Sequence, residues 1–235
     1  MAKSNGLGVR IYASGYDLNT DVNALSGIGS TQNLLDTTAL SNAATARTIG
    51  LRDSTLSVNG WFDNATGFSH DAFKSIAGDA EVIMTMGTSR GDAACGMVAD
   101  QSSYNVDRSQ GSAIATTVEF STSDGAGLNW GVVLTDGPEQ TDSSAANSTA
   151  VDNTSSSADG GIGLISVESI GSGTATVKVQ HSSDNVTFAD LITFTDVTGR
   201  TSEAASATGT VNRYVRIQSS GTFTNLVFVA QFSRS

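Results

Sequence analysis

Apolar residues in this chain recur at every second position, in short runs closed by glycine, serine or asparagine, and that period admits strands and little else. In Ser54–Phe62, Leu56 and Val58 alternate with Ser57 and Asn59. In Thr176–Gln180, Val177 and Val179 alternate with Lys178; in Tyr214–Gln218, Val215 and Ile217 flank Arg216. Successive side chains of a strand point to opposite faces, so each segment turns one face to a core and one to water. The same reading predicts further strands over 8–13, 81–86, 112–120 and 128–134, then over 163–170, 174–181, 191–195, 213–218 and 226–232. Ser123–Gly127, Gly171–Gly173 and Ser183–Asn185 are predicted turns, the last two as hairpins. One helix is predicted, over 69–77. Ser69 is its N-cap, Asp71 suits the first turn, Phe73, Ile76 and Ala77 share a face, and Gly78 ends it. The expected fold class is therefore all-β with one short helix.

Two stretches interrupt this pattern. Residues 19–50 are small and polar with scattered leucines, too long for an ordinary connection, so a functional or disordered loop is expected. Residues 138–161 carry hardly any large apolar side chain besides Val151, so they are expected to form a polar linker. The expected organisation is an N-terminal β-sandwich or barrel domain over 1–137 and a C-terminal antiparallel sandwich over 162–235.

Composition narrows the chemistry. The net charge is −11, which disfavours a surface built to grip phosphate, since that work needs clustered Lys and Arg. The longest apolar runs fall far short of the roughly 20 residues a membrane helix needs. The opening Met1–Gly6 has no apolar core behind its charge, so no secretory signal is visible. The lone cysteine, Cys95, has no partner for an intrachain disulfide and is read as a small buried apolar residue, as suits a reducing cytoplasm. His70 and His181 belong to no metal-ligand spacing. Asp184-Asn185 reads as a turn before it reads as a calcium site, and the glycine-rich pieces lack the lysine and the strand–loop–helix setting of a phosphate loop. The Asn-x-Ser/Thr matches at Asn64, Asn147, Asn153 and Asn185 are chance in so Ser/Thr-rich a chain. No catalytic residue, cofactor or metal is expected, and the chain is not read as an enzyme.

A series of motifs has a recognisable order. Tyr16-Asp17-Leu18 comes first, then Leu35-Asp36-Thr37-Thr38-Ala39-Leu40, then Ala44–Arg47. Gly50-Leu51-Arg52-Asp53 leads into Leu56–Asp63. With the helix and the strands that follow, residues 6 to 137 resemble the major tail tube protein of long-tailed, siphovirus-type phages. The segment Val177–Leu191 is similar to a hairpin of discoidin-like and carbohydrate-binding sandwiches, with Asn185 where a glycine is usual and Phe188 where a tryptophan is usual. Losing the tryptophan removes the usual sugar platform, and Phe188 is read as a core residue.

The first resemblance implies a structural virion protein made in the host cytoplasm. Its copies would form hexameric rings stacked into a tube, with DNA passing through the lumen without specific binding. Strand edges would be paired between copies, and residues 19–50 would reach the next ring. Leu34, Leu35 and Leu40 are the expected anchors of that contact, with packing on their own domain as the alternative. Asp36, Arg47, Arg52 and Asp53 are candidate charge pairs within or between rings, with solvated surface charge as the alternative. Residues 1–140 hold 7 Lys and Arg against 15 Asp and Glu, a net −8, which suits a lumen that repels DNA. The implied partners are other copies, tape measure and tail terminator proteins, and no membrane. The second resemblance implies an outer decoration with weak host-glycan contact. A capsid decoration protein and a carbohydrate-binding adhesin are the competing readings, the latter needing exposed rings from Phe188, Tyr214 or Phe223.

Overall fold

The computed structural model describes residues 8–76, 78–123 and 125–235. The opening residues read above, Ala77 of the predicted helix and Asp124 of the predicted turn lie outside them. The N-terminal unit contains β1 (Arg10–Ala13), β2 (Tyr16–Asp17), β3 (Val22–Asp36), β4 (Arg47–Trp61), α1 (Ser69–Phe73), β5 (Ala80–Thr85), β6 (Ala93–Asp107), β7 (Ala115–Thr122) and β8 (Asn129–Val133). Strand β6 serves both layers. Its first part pairs with β5 and β8, its second with β7, and the register shifts between Gln101 and Ser103. Beyond β7 come β4 and then β3; beyond β5 come β1 and β2. The layers close over Ile11, Leu56, Val58, Phe73, Met84, Met97, Val118 and Phe120. Leu56 and Val58 point inward, as their alternation requires. The sequence reading did not place β6, whose small residues, such as Ala94, Cys95 and Gly96, give little hydrophobic contrast.

The helix is shorter than predicted and starts differently. Phe68, not Ser69, is the N-cap, and its side chain makes no capping bond. The Ser69 amide instead donates to Asp21 Oδ2 at 2.9 Å, a carboxylate brought from 48 residues away to the positive end of the helix. Ser69 Oγ donates to Trp61 O at 3.0 Å.

Residues 19–50 do not form a loop. Most of them enter a two-stranded antiparallel hairpin, β3 against β4, with Val22 opposite Gly60 at the root and Asp36 opposite Arg47 near the tip. Three register shifts interrupt it, at 22/24, 26/29 and 32/34. Polar strands are legible in a sequence only through their partners, and the partner here begins beyond a ten-residue tip.

The C-terminal unit adds β9 (Gln140–Asp142), β10 (Ala146–Asn147), β11 (Val151–Asp152), β12 (Gly161–Ser169), β13 (Ser172–Ser182), β14 (Ala189–Thr193), β15 (Thr201–Ala207), β16 (Tyr214–Thr224) and β17 (Leu226–Arg234). One layer orders β14, β13 and β16, with β10 and β11 on the free edge of β16; the facing layer orders β15, β12 and β17. Val177, Val179, Val215, Ile217, Phe194 and Phe228 fill the space between. Gly171–Gly173 is not a hairpin turn, because β12 and β13 lie in different sheets, so the segment crosses between layers. Ser183–Asn185 does join the paired strands β13 and β14, with Asn185 left-handed at φ 59°.

The polar segment 138–161 is not a free tether. It carries β9, β10 and β11, which pair with β17 and β16. Ordering here comes from backbone and side-chain polar bonds, with Val151 packed against the C-terminal core. Ser148 Oγ accepts from Ile217 N at 3.0 Å, Gln140 Nε2 donates to Asp142 Oδ1 at 2.9 Å, and Arg213 grips Asp152 through two bonds of 2.6 Å. Strand β17 also pairs with β8, so one twelve-stranded sheet runs through both units. A small apolar cluster, Tyr12, Ile83, Leu164 and Val229, packs where they meet. No helix among the described residues is long and apolar enough to cross a membrane.

Candidate assembly interface

The β3–β4 hairpin outgrows the sheet that carries it. Strand β4 pairs with β7 only from Thr55 to Trp61, so residues 47–53 are bonded to β3 alone. At about 3.3 Å per residue this arm projects roughly 23 Å before its tip. Both long edges of the arm offer unpaired backbone donors and acceptors, an arrangement that invites another strand.

The arm is apolar where it has no cover. Leu34 is 57% exposed, Leu35 49%, Ile49 63% and Leu51 89%, and Leu40 at the tip is fully exposed. Leu34 stands opposite Ile49, so these two share one face, while Leu51 lies in the register shift between Ile49 and Arg52. Leu35 is on the other face, against Gly50, where an added Cβ would lie 3.5 Å from Leu35 Cγ. Exposed large apolar side chains on a two-stranded ribbon have no core of their own to enter.

All seven predicted interface residues fall on this hairpin, in different settings. Asp36 and Arg47 face each other in the register, but the Asp36 carboxylate accepts from Thr38 N at 2.8 Å. The Thr38 side chain and amide hold the Asp36 carboxyl below its ordinary range. Arg52 is nearer the root and lines a cleft with Leu128, Trp130, Ile162 and Arg234. Asp53 is opposite Thr31, whose hydroxyl donates to its carbonyl at 3.4 Å. Ile49 and Leu51 were missed by the sequence reading. Their signal was present, since Ile49, Leu51 and Leu56 belong to a run of apolar residues interrupted only by Gly, Arg, Asp, Ser and Thr.

The three rings considered for sugar stacking are already engaged. Arg216 lies over Phe188 at 3.8 Å and is held there by two bonds to Gln180 Oε1, of 2.9 and 2.8 Å. Phe188 is therefore a half-buried ring beneath a guanidinium rather than a core residue. Arg213 lies 4.9 Å from the Tyr214 ring, and Phe223 is buried in the C-terminal core. The histidines serve structural contacts. His70 Nδ1 is 2.8 Å from Tyr104 Oη, and its ring packs 4.7 Å from Phe62. His181 Nδ1 accepts from Asn212 N at 3.2 Å, and burial, then Arg234, holds the ring's pKa down. Cys95 is buried, which pushes its thiol up to about 12.

No protein-family model and no curated protein matches the chain. Several solved structures are similar, three of them as follows. A chain from the virion of a native gene transfer agent particle shares 15% identity at a TM-score of 0.42, over 55% of this chain and 98% of that one. A chain from the tail of an empty gene transfer agent particle with C6 symmetry shares 15% at 0.41, over the same fractions. The SPP1 Dit protein, described as a paradigm of the hub adsorption apparatus in phages infecting Gram-positive hosts, shares 13% at 0.36, over 96% of this chain and 98% of that one. Likenesses this shallow define neither a family nor an assembly for this chain.

Proposed function

We propose that the chain is a non-enzymatic structural subunit of a phage tail, and that its work is to polymerise with copies of itself. The observation that carries this reading is the uncovered arm: Leu34 and Ile49 bare on one face, Leu51 bare beside them, with unpaired edges on either side. Burying a leucine or isoleucine fully is worth about 1.5–3 kcal/mol. Three per arm give roughly 5 kcal/mol before the cost of ordering, so one arm alone holds a neighbour weakly. A closed ring of several copies engages all its arms together, and such contacts multiply. The finer reading is the major tail tube subunit, with hexameric rings stacked around a DNA-conducting lumen, and the ordered motifs from Tyr16 to Asp63 support it. An excess of carboxylates in residues 1–140 suits a channel that DNA crosses without adhering. The C-terminal sandwich, joined through β8–β17, would ride at a fixed position rather than on a string.

Electron microscopy of concentrated protein tests the reading. Stacked rings or tubes are expected for the native chain, and monomers only for Leu34→Ser/Ile49→Ser/Leu51→Ser. A native chain that stays monomeric at high concentration would sink the proposal.

A further inference from the structure

One cleft at the seam of the two sandwiches is basic and aromatic, on a chain whose net charge is −11. Arg52, Leu128, Trp130, Ile162 and Arg234 line its 370 Å³, and no Asp or Glu side chain borders it. Trp130 is 55% exposed, and its indole N–H has no partner among the described residues. Arg52 makes no hydrogen bond or ion pair among the described residues. Its stem lies against the β7–β8 turn, where an added Cβ on Gly127 would fall 2.8 Å from Arg52 Cδ. Arg234 is held by neutral oxygens, Ser157 Oγ at 3.1 Å and Val211 O at 2.9 Å among them, and its buried Nε has no partner among the described residues. Tryptophan and arginine are the residues most often found at the energetic centre of a protein interface. Two arginines without a carboxylate of their own favour an acidic visitor.

The tip of the arm has the complementary character. Leu35 and Leu40 are bare there. Asp36 lies between them in sequence, accepts from Thr38 N at 2.8 Å, and forms no ion pair among the described residues. Asp36 stands four residues beyond Gln32, the partner of Arg52, or roughly 13 Å along the strand, so a straight arm holds its tip out of its own cleft. We propose that this cleft is the socket for the arm of a second copy: Leu35 and Leu40 enter against Trp130, Leu128 and Ile162, and Asp36 pairs with Arg52. The proposal rests on the self-assembly reading and names the surface on which the arm lands. Plug and socket are different patches of one chain, so the contact is heterologous and passes head to tail, closing a ring or running on as a helix. A second apolar cleft, between β1 and β3, is lined by Val9, Ile11, Val22 and Leu25. It suits the tip less well, because the arginine there, Arg10, already has Glu139 at 3.8 Å.

Sedimentation velocity of the full chain tests the socket as a cycle. Arg52→Gln and Asp36→Asn, the latter keeping an acceptor for Thr38 N, should each weaken association about tenfold. The double variant should also lose about tenfold, since both changes remove one contact. A loss of about a hundredfold in the double, or native association in either single, overturns the socket. Association lost in Leu34→Ser/Ile49→Ser/Leu51→Ser but unchanged in Arg52→Gln leaves the assembly reading standing and refutes the socket alone. A native chain that never associates refutes both. A cysteine trap locates the landing independently, since Cys95 is buried. Ala39→Cys protein mixed with Ser235→Cys protein under a mild oxidant should give a disulfide-linked pair of copies. No such pair, or Ala39→Cys joined instead to Asn23→Cys on the β1–β3 cleft, overturns the proposal.

Discussion

Replacing Gly131 with valine should open the seam between the two sandwiches. Gly131 lies on β8, where an ideal Cβ would fall 2.1 Å from Phe232 O and 2.6 Å from Phe232 C. Both obstacles are backbone atoms of β17, so no rotamer change relieves them, and the strands must separate. Strand β8 meets β17 at Val132–Phe232 and Val133–Gln231, and Leu134 N donates to Ala230 O at 2.9 Å. Two or three backbone bonds at about 1 kcal/mol each are at stake. Partial exposure of Val132, Leu134 and Phe232 adds about 1–2 kcal/mol more. The expected loss is thus about 3–5 kcal/mol, a large share of the roughly 5–15 kcal/mol that holds a typical domain. Trp130 is adjacent on the same strand and Trp61 is the other indole, so in a Trp61→Phe background fluorescence reports the seam directly. Urea titration should give a fluorescence midpoint well below the native one and below the circular-dichroism midpoint of the same variant. Coincident transitions within about 0.5 kcal/mol of the native stability, for both Gly131→Ala and Gly131→Val, would refute the idea that this strand contact couples the units.

Other substitutions probe the arm and the cores. Leu34→Ser/Ile49→Ser/Leu51→Ser should leave monomer stability within about 1 kcal/mol of native, since exposed side chains support no core, while abolishing concentration-dependent assembly in sedimentation velocity; assembly that persists would dismiss the arm. Phe228→Ala removes a fully buried ring and should cost about 3–5 kcal/mol in urea unfolding, whereas a loss under about 1 kcal/mol would mean that the C-terminal core collapses around the gap. Cys95, buried with its thiol raised to about 12, should react with a disulfide reagent at about pH 8 only as the protein unfolds; rapid labelling of the folded chain would contradict its burial.

What the sequence determined by itself was everything that depends on local period. Alternation at Leu56–Val58, Val177–Val179 and Val215–Ile217 was enough to declare strands and their buried faces, because a side chain's face on a strand follows from position alone. The all-β class with one short helix followed from the same rule. What the tertiary structure decided was partnership, which no local pattern encodes. Residues 22–36 look like loop until Arg47–Trp61 lies beside them. Residues 140–152 look like linker until β16 and β17 accept their backbone bonds. Gly171–Gly173 looks like a hairpin until its two strands enter different sheets, and Asp21 becomes a helix cap only when folding delivers it to Ser69. The seven residues singled out for assembly were legible as a segment, but the face shared by Leu34 and Ile49 was not, because a face belongs to a pair of strands in register.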